Sequence, residues 1–258
     1  VNQTLIHQKA ITQDIFHMTF NAPEIAREAQ PGQFVHMRVT EGIDPLLRRP
    51  LSIHRIDRQK GTLEILYRVV GRGTALMCKA ESGDCFDLMG PLGKGFRIDD
   101  SFTHALVVAG GMGSAPVFFL IDELIEHGKQ VTFVWGAKTG QEIFGVDALK
   151  QAGVEVHMAT EDGTLGVCGL VTDPLNRFLS SHDTQTSYAG FVCGPRPMLK
   201  CIQEIIVNKS INWQASLEER MACGMGVCIG CAVQTRTGYQ MVCSDGPVMN
   251  LKEIVFDD

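Results

Sequence analysis

The sequence predicts a β plus α/β protein in three parts: an antiparallel β-barrel over residues 1–98, a parallel-sheet α/β domain over 99–209 and a small cysteine-bearing segment over 210–258. Three observations predict it. Up to Ile98, β-prone runs are short and parted by Gly and Pro, as in a small barrel or sandwich. Beyond Asp99-Asp100, apolar strands alternate with helical periodicity, the pattern of a parallel sheet with helices on its faces. Near the end stand four cysteines, Cys223-x4-Cys228-x2-Cys231-x11-Cys243, with Gly224, Gly226 and Gly230 between the first three.

Composition narrows the classes of function. A net charge of −6 with no basic run argues against nucleic acid as a partner. The uncharged stretch Ala105–Ile121 is interrupted by Gly110, Gly111, Gly113 and Pro116, so it reads as a strand, a turn and a helix start rather than a membrane span. Nine cysteines, an odd number, and no charged-then-apolar leader at Val1–Ala10 point to a reducing, cytoplasmic setting.

In the barrel, Pro31-Gly32 makes a turn and Gln33–Val39 a strand, with Val35, Met37 and Val39 on one face and His36 and Arg38 on the other, the period of a half-buried strand. Leu63–Val70 is a second strand. Arg48-Arg49-Pro50-Leu51-Ser52 sets two cations beside a hydroxyl, Leu66-Tyr67-Arg68 an aromatic beside a cation, and Gly71-Arg72-Gly73-Thr74 small residues and a further hydroxyl. Phosphate calls for guanidinium, and a flat ring system for flanking side chains, so these residues suit a flavin nucleotide. A solvated basic edge of a barrel is the alternative.

The turn cluster Gly90-Pro91-Leu92-Gly93-Lys94-Gly95 closes the barrel. Strand Leu106–Ala109 then leads into Gly110-Gly111-Met112-Gly113-Ser114-Ala115-Pro116 and a helix over Val117–His127, where Ile121, Leu124 and Ile125 share a face and Gly128 is the stop. A glycine turn between strand and helix offers free N–H groups to a dinucleotide pyrophosphate, and Pro116 suits a first helical turn. A plain turn would look the same. Val131–Trp135, Val154–Ala159 and Tyr188–Cys193 are further strands, and 197–207 a helix. Cys193-Gly194-Pro195-Arg196-Pro197-Met198 follows a strand, so it should face the same crevice as the Gly110 loop. Cys193 is equally readable as a small buried hydrophobe.

The spacing of the four cysteines matches a plant-type [2Fe-2S] loop, C-x4-C-x2-C with a distant fourth ligand. Glycines let the backbone approach an anionic cluster closely enough for its N–H groups to face sulfur. Structural zinc usually draws on two C-x2-C pairs, whereas this chain has one. Disulfides fit neither the odd count nor the expected compartment.

Taken together these motifs resemble the ferredoxin reductase superfamily. Arg49-Pro50-Leu51-Ser52 is similar to its R-x-Y-[ST] flavin motif, with Leu51 where an aromatic is common; Gly110–Pro116 to its G-G-x-G-x-x-P loop; Cys193–Met198 to its C-G-P-x-P-M motif. The segment from Glu218-Glu219-Arg220-Met221-Ala222-Cys223 to Cys231, with Val242-Cys243-Ser244-Asp245-Gly246-Pro247-Val248, resembles the electron transfer subunits of NAD-linked (class 1B) dihydroorotate dehydrogenase. That resemblance implies FAD contacts at Arg49, Pro50, Leu51, Ser52, Leu66, Tyr67, Arg68, Gly73 and Thr74. It implies NAD contacts at Gly110, Gly111, Gly113, Pro116, Cys193, Gly194 and Pro195, with Cys193 a candidate beside the nicotinamide, and cluster ligation by Cys223, Cys228, Cys231 and Cys243. The C-terminal aromatic that usually covers the flavin in the superfamily has no counterpart.

The implied function is electron transfer within pyrimidine biosynthesis. A nicotinamide exchanges two electrons at once and a [2Fe-2S] cluster one, so a flavin between them is chemically required. The resemblance further implies a separate FMN-containing TIM-barrel catalytic subunit, two of each in a heterotetramer. Nothing here suggests substrate chemistry on this chain: no triad motif, no H-E-x-x-H, and no P-loop spacing at Gly90–Gly95. The small subunit of a sulfide dehydrogenase or a ferredoxin-NAD(P) transhydrogenase shares the same layout, and a zinc-stabilised interaction module is the non-enzymatic alternative.

Overall fold

The computed structural model describes residues 1–182 and 187–256. Six strands, β1 (Asn2–Ala10), β2 (Ile15–Asn21), β3 (Phe34–Arg38), β4 (Arg49–Asp57), β5 (Thr62–Arg68) and β6 (Cys85–Leu92), close into a barrel in the order β1-β2-β5-β4-β3-β6. Every pairing in it is antiparallel. Alternation sends Leu5, Met18, Phe20, Val35, Met37, Ile53, Leu63 and Ile65 inward, where they form one apolar core. Two short helices, α1 (Pro23–Glu28) and α2 (Arg72–Met77), cap its openings with Ile25 and Met77.

His36 departs from the expected outward, half-exposed position. It is fully buried, because the cysteine loop lies over the outer face of β3: a methyl on Gly224 would sit 2.6 Å from His36 Nδ1.

The second unit follows a strand–helix rhythm: β7 (His104–Gly110), α3 (Ser114–Glu126), β8 (Gln130–Ala137), α4 (Val146–Gln151), β9 (Glu155–Thr160), β10 (Val167–Cys168), α5 (Thr172–Ser181), β11 (Tyr188–Cys193), α6 (Arg196–Ile205) and β12 (Asn212–Ser216). After the hairpin β13 (Ala232–Thr235) and β14 (Gly238–Met241), strand β15 (Val248–Asn250) returns to the same sheet, whose order is β10-β9-β8-β7-β11-β12-β15. All neighbours run parallel except β12 and β15. Strands covered on both faces need apolar residues throughout, which explains the run Ala105-Leu-Val-Val-Ala109. Leu106 and Val108 point into one layer with Trp213, while Ala105 and Val107 point into the other with Phe133 and Trp135.

The sheet cuts across the expected boundary at 209/210. β12 and β15, both from the 210–258 segment, extend it, and the hairpin residues Val233 and Val242 share a core with Ile202 of α6. The helix after the glycine loop begins at Ser114, earlier than expected, behind a 3-10 turn over Gly111–Gly113, and Pro116 sits in its first turn. Among the described residues no helix is long and apolar enough to cross a membrane.

Candidate functional site

A cavity of about 780 Å³ lies between the barrel and the carboxyl ends of β7, β8 and β11, at the upper end of small-molecule sites and at the sheet edge where α/β folds collect ligands. From the barrel, Arg49, Pro50, Leu51, Ser52, Leu66, Tyr67, Arg68 and Thr74 line it; from the sheet, Gly110, Gly111, Gly113, Gly194 and Pro195. Residues distant in sequence thus share one space. Gly73, Pro116 and Cys193 stand behind the lining.

Of the four arginines in the barrel motifs, Arg72 is paired with Asp44 and the other three differ in what they have left to offer. Arg48 is held by Asp87 and donates to the His36 and Asp87 carbonyls. Arg68 is paired with Asp14 at 3.1 Å and Glu142 at 2.9 Å, a tie between barrel and α/β unit. Arg49 donates only to the carbonyls of Leu47, at 2.5 Å, and Arg48, and among the described residues has no carboxylate partner. Its guanidinium is therefore the one available to an anionic ligand. Gly73 makes room for it, since a methyl there would come within 2.3 Å of Arg49 Nε. Thr74 Oγ1 accepts from the N–H of Val70 at 3.0 Å and of Gly71 at 3.2 Å, fixing the turn beneath. Tyr67 is largely core, stacked on Phe16, with its hydroxyl donating to Gln8 Oε1 at 3.1 Å. Burial holds its phenol proton well above the ordinary range.

Each glycine of the nucleotide loop has a separate task. Gly111 takes φ +52°, the left-handed conformation the turn needs. Gly113 packs directly on β11, where a methyl would lie 2.2 Å from the Cys193 carbonyl oxygen. The loop delivers its N–H groups to the cavity at the start of the 13-residue helix α3.

Cys193, expected beside a nicotinamide, stands behind the cavity lining. It is fully buried in the sheet core, and burial, then the nearby Glu218 charge, pushes its thiol up while Ser216 opposes the shift. Glu218, which the sequence reading took only as part of the cysteine motif, does line the cavity. Its side chain is exposed to the cavity, where desolvation raises its carboxyl pKa. The sequence signal for it was position alone, two residues past the end of β12.

A raised pKa has a defined consequence for stability. Between the unfolded carboxyl's pKa and the raised folded one, the folded state holds more protons, so stability falls as pH rises through that window. Glu218→Gln is therefore expected to leave the melting temperature near that of the parent at pH 4.5 and to exceed it increasingly at neutral pH. A constant difference across that range counts against the raised carboxyl pKa.

In the cysteine loop, backbone N–H groups aim at sulfur: Gly226 at Cys243 Sγ (3.0 Å), Met225 and Cys228 at Cys223 Sγ (3.4 and 3.5 Å), Cys243 at Cys231 Sγ (3.4 Å). The amides of Met225 and Cys228 draw the Cys223 thiol down to about 6, whereas burial lifts Cys243 to about 12. Ile229 is a β-branched residue at φ +52°, a conformation tolerated only where the surroundings impose it. Among the described residues no three of the four sulfurs lie within 4.8 Å of one another. The donor N–H groups fit an anionic cluster. His36, opposite Pro50 in the β3·β4 register, lies between this loop and the strand that carries Arg49–Ser52.

Barrel, α/β sheet and cysteine loop define an FAD- and NAD-binding oxidoreductase of ferredoxin reductase fold. Family models match in the same order: an oxidoreductase FAD-binding domain over 2–96, an oxidoreductase NAD-binding domain over 107–204 and the iron-sulfur cluster binding domain of dihydroorotate dehydrogenase B over 218–255. The dihydroorotate dehydrogenase B (NAD(+)) electron transfer subunit of Desulforamulus reducens is 41% identical over 96% of this chain and 95% of its own. That of Geobacillus thermodenitrificans is 40% identical over 98% and 97%. The chain belongs to this family of electron transfer subunits. Among solved structures, a chain of an NADH-dependent reduced ferredoxin-NADP oxidoreductase studied for flavin-based electron bifurcation aligns with TM-score 0.88 and 27% identity, covering 98% of this chain and 89% of that one. A Neisseria gonorrhoeae ferredoxin NADP+ reductase with bound FAD and NADP shares the fold at TM-score 0.70 and 18% identity, over 81% and 90%.

Proposed function

We propose that this chain carries electrons from the FMN of a dihydroorotate dehydrogenase catalytic subunit to NAD+, with a [2Fe-2S] cluster on Cys223, Cys228, Cys231 and Cys243 and FAD in the barrel half of the cavity. The observation that carries this reading is the set of backbone N–H groups aimed at the sulfurs of Cys223, Cys231 and Cys243, in a loop that lies over a strand, β3, that also neighbours the Arg49–Ser52 strand. When bound, a flavin trades electron pairs with nicotinamide and single electrons with a cluster. The residues do the rest. Arg49 holds phosphate; Pro50, Leu51, Ser52, Leu66 and Tyr67 border the ring system; Gly73 and Thr74 shape the phosphate turn. Gly110, Gly111, Gly113, Gly194 and Pro195 receive the NAD pyrophosphate across the cavity, over the first turn of α3 that Pro116 helps to start.

The partner surface in this reading is the outer rim of the cysteine loop. Met225, Val227 and Ile229 are 57%, 78% and 68% exposed, apolar, and adjacent to the ligands, the composition of an interface centre rather than of a solvated turn. The assembly is a cytoplasmic heterotetramer of two chains of each kind. Reconstitution with an FMN-bearing catalytic subunit should yield dihydroorotate-dependent NAD+ reduction that neither chain shows alone. Val227→Asp should weaken the complex by roughly 2 kcal/mol, the scale of an interface hot spot, without altering NADH oxidation by artificial acceptors. Turnover of dihydroorotate by this chain alone would overturn the division of labour. Copurification with a larger multi-cluster flavoprotein would favour the transhydrogenase-type reading instead.

A further inference from the structure

On the outer wall of the barrel, beneath α3 and apart from the cavity, His17 of β2, His54 of β4 and Glu64 of β5 converge, each offering a ligand atom within 4.8 Å of the others. Among the described residues this is the one group of three histidine, cysteine or carboxylate donors gathered so closely. The backbone makes the convergence. The register of β4 against β5 shifts between Ile53 and Arg55, so His54 is the extra residue of a bulge, a device that re-aims a side chain. Ile53 still points into the barrel core, while His54 and Arg55 both face α3.

The hydrogen bonding fixes what His54 presents. Its Nδ1 lies 2.8 Å from the Ala115 carbonyl oxygen, which can only accept, so the proton is on Nδ1 and Nε2 offers its lone pair. An imidazole whose other nitrogen donates to a backbone carbonyl is the usual setting of a metal-bound histidine. His17 Nε2 is 2.9 Å from Glu64 Oε2, and the two imidazole rings stand 5.7 Å apart at 79°. His17 and Glu64 are 20% and 30% exposed, which leaves an approach and a place for water. The neighbouring Arg55 charge is closed by a two-point bond to Asp122 at 2.7 and 3.1 Å.

We propose that His17, His54 and Glu64 form a binding site for a divalent cation of the zinc class, with water completing the shell. Two neutral imidazoles and a carboxylate are an established donor set for such ions. The ion takes the place of the hydrogen shared between His17 and Glu64, which moves to His17 Nδ1. Bound there, it ties β2, β4 and β5 together and, through the His54 bond to Ala115, fixes the first turn of α3 and hence the Gly110–Pro116 loop.

The test uses untagged protein loaded with flavin and cluster, so that the four cysteines are already occupied. Titration with zinc against a chromophoric chelator should show one tight site per chain. Zinc-edge X-ray absorption should show nitrogen and oxygen neighbours at about 2.0–2.1 Å and no sulfur shell near 2.3 Å. Glu64→Gln and His17→Asn, at partly exposed positions, should each weaken binding by at least about tenfold, the low end of what losing even a supporting contact does. His54→Ala should do the same but can disturb packing, so the first two variants decide. No stoichiometric zinc at micromolar free metal, a sulfur shell, or affinity unchanged in Glu64→Gln and His17→Asn would each overturn the site.

Discussion

Cys228→Ser is expected to strip the iron from the protein and to abolish dihydroorotate-driven NAD+ reduction in the reconstituted complex, while NADH oxidation with a two-electron artificial acceptor stays near the parent level. Cys228 is an exposed cysteine in a loop, so its thiol contributes little packing and the fold should persist. Its loss removes one of the four cysteines proposed to hold the cluster. Cys231→Ser and Cys243→Ser should lose the iron as well, and in addition lower stability, because both sulfurs sit in the core shared by the hairpin and α6. Iron content, visible absorption and the two activities measured side by side separate these cases. Iron retained in the Cys228 variant, or full transfer without it, would remove the cluster from the electron path.

Gly113→Ala should raise the KM for NADH by roughly a hundredfold, since a misplacement of about 1 Å at a positioning loop has effects of that order. The added methyl would lie 2.2 and 2.5 Å from the Cys193 carbonyl oxygen and carbon and 2.7 Å from Gly194 Cα, all backbone atoms. They cannot yield: Cys193 is held in register with Ala109 on one side and Ser216 on the other. The loop itself must move. Overpacking of this kind destabilises by about 1–3 kcal/mol, or roughly 2–10 °C in melting temperature for a chain of this size. Gly111→Ala is the control. It sits at φ +52° with nothing within 4 Å, so it should cost about 1–2 kcal/mol of backbone strain with a far smaller change in KM. Equal kinetic effects in the two variants would mean that the loop's approach to β11 does not set nucleotide binding.

How far each region was legible depends on whether its signal is local. Barrel strands β3 and β5 and the β7–loop–α3 unit were, because alternation, turn glycines and Pro116 act within a few residues. The cysteine spacing was legible for the same reason. Helices α4 and α5 and the two-residue strand β10 passed unread: Val146–Gln151 is short, and Thr172–Ser181 mixes polar residues with an apolar stripe of Leu175, Phe178 and Leu179 that only packing reveals. His36 misled because alternation reports two faces of a strand, not what covers the second one. Cys193 was assigned by motif, yet whether a strand-end side chain turns into a cavity or into the sheet is a matter of pleat and neighbours.

By itself the sequence determined the order of units, the spacing of the four cysteines and the identities of several of the cavity's glycines and arginines, since these follow from covalent spacing and conformational preference. Tertiary structure alone decided that Arg49 rather than Arg48 or Arg68 is free for an anion, that β12 and β15 belong to the sheet of the preceding unit, and that backbone N–H groups of the cysteine loop face its sulfurs. Each of those outcomes depends on which groups meet across the fold, and long-range meetings are set by packing and charge pairing between segments that carry no mark of one another in the chain.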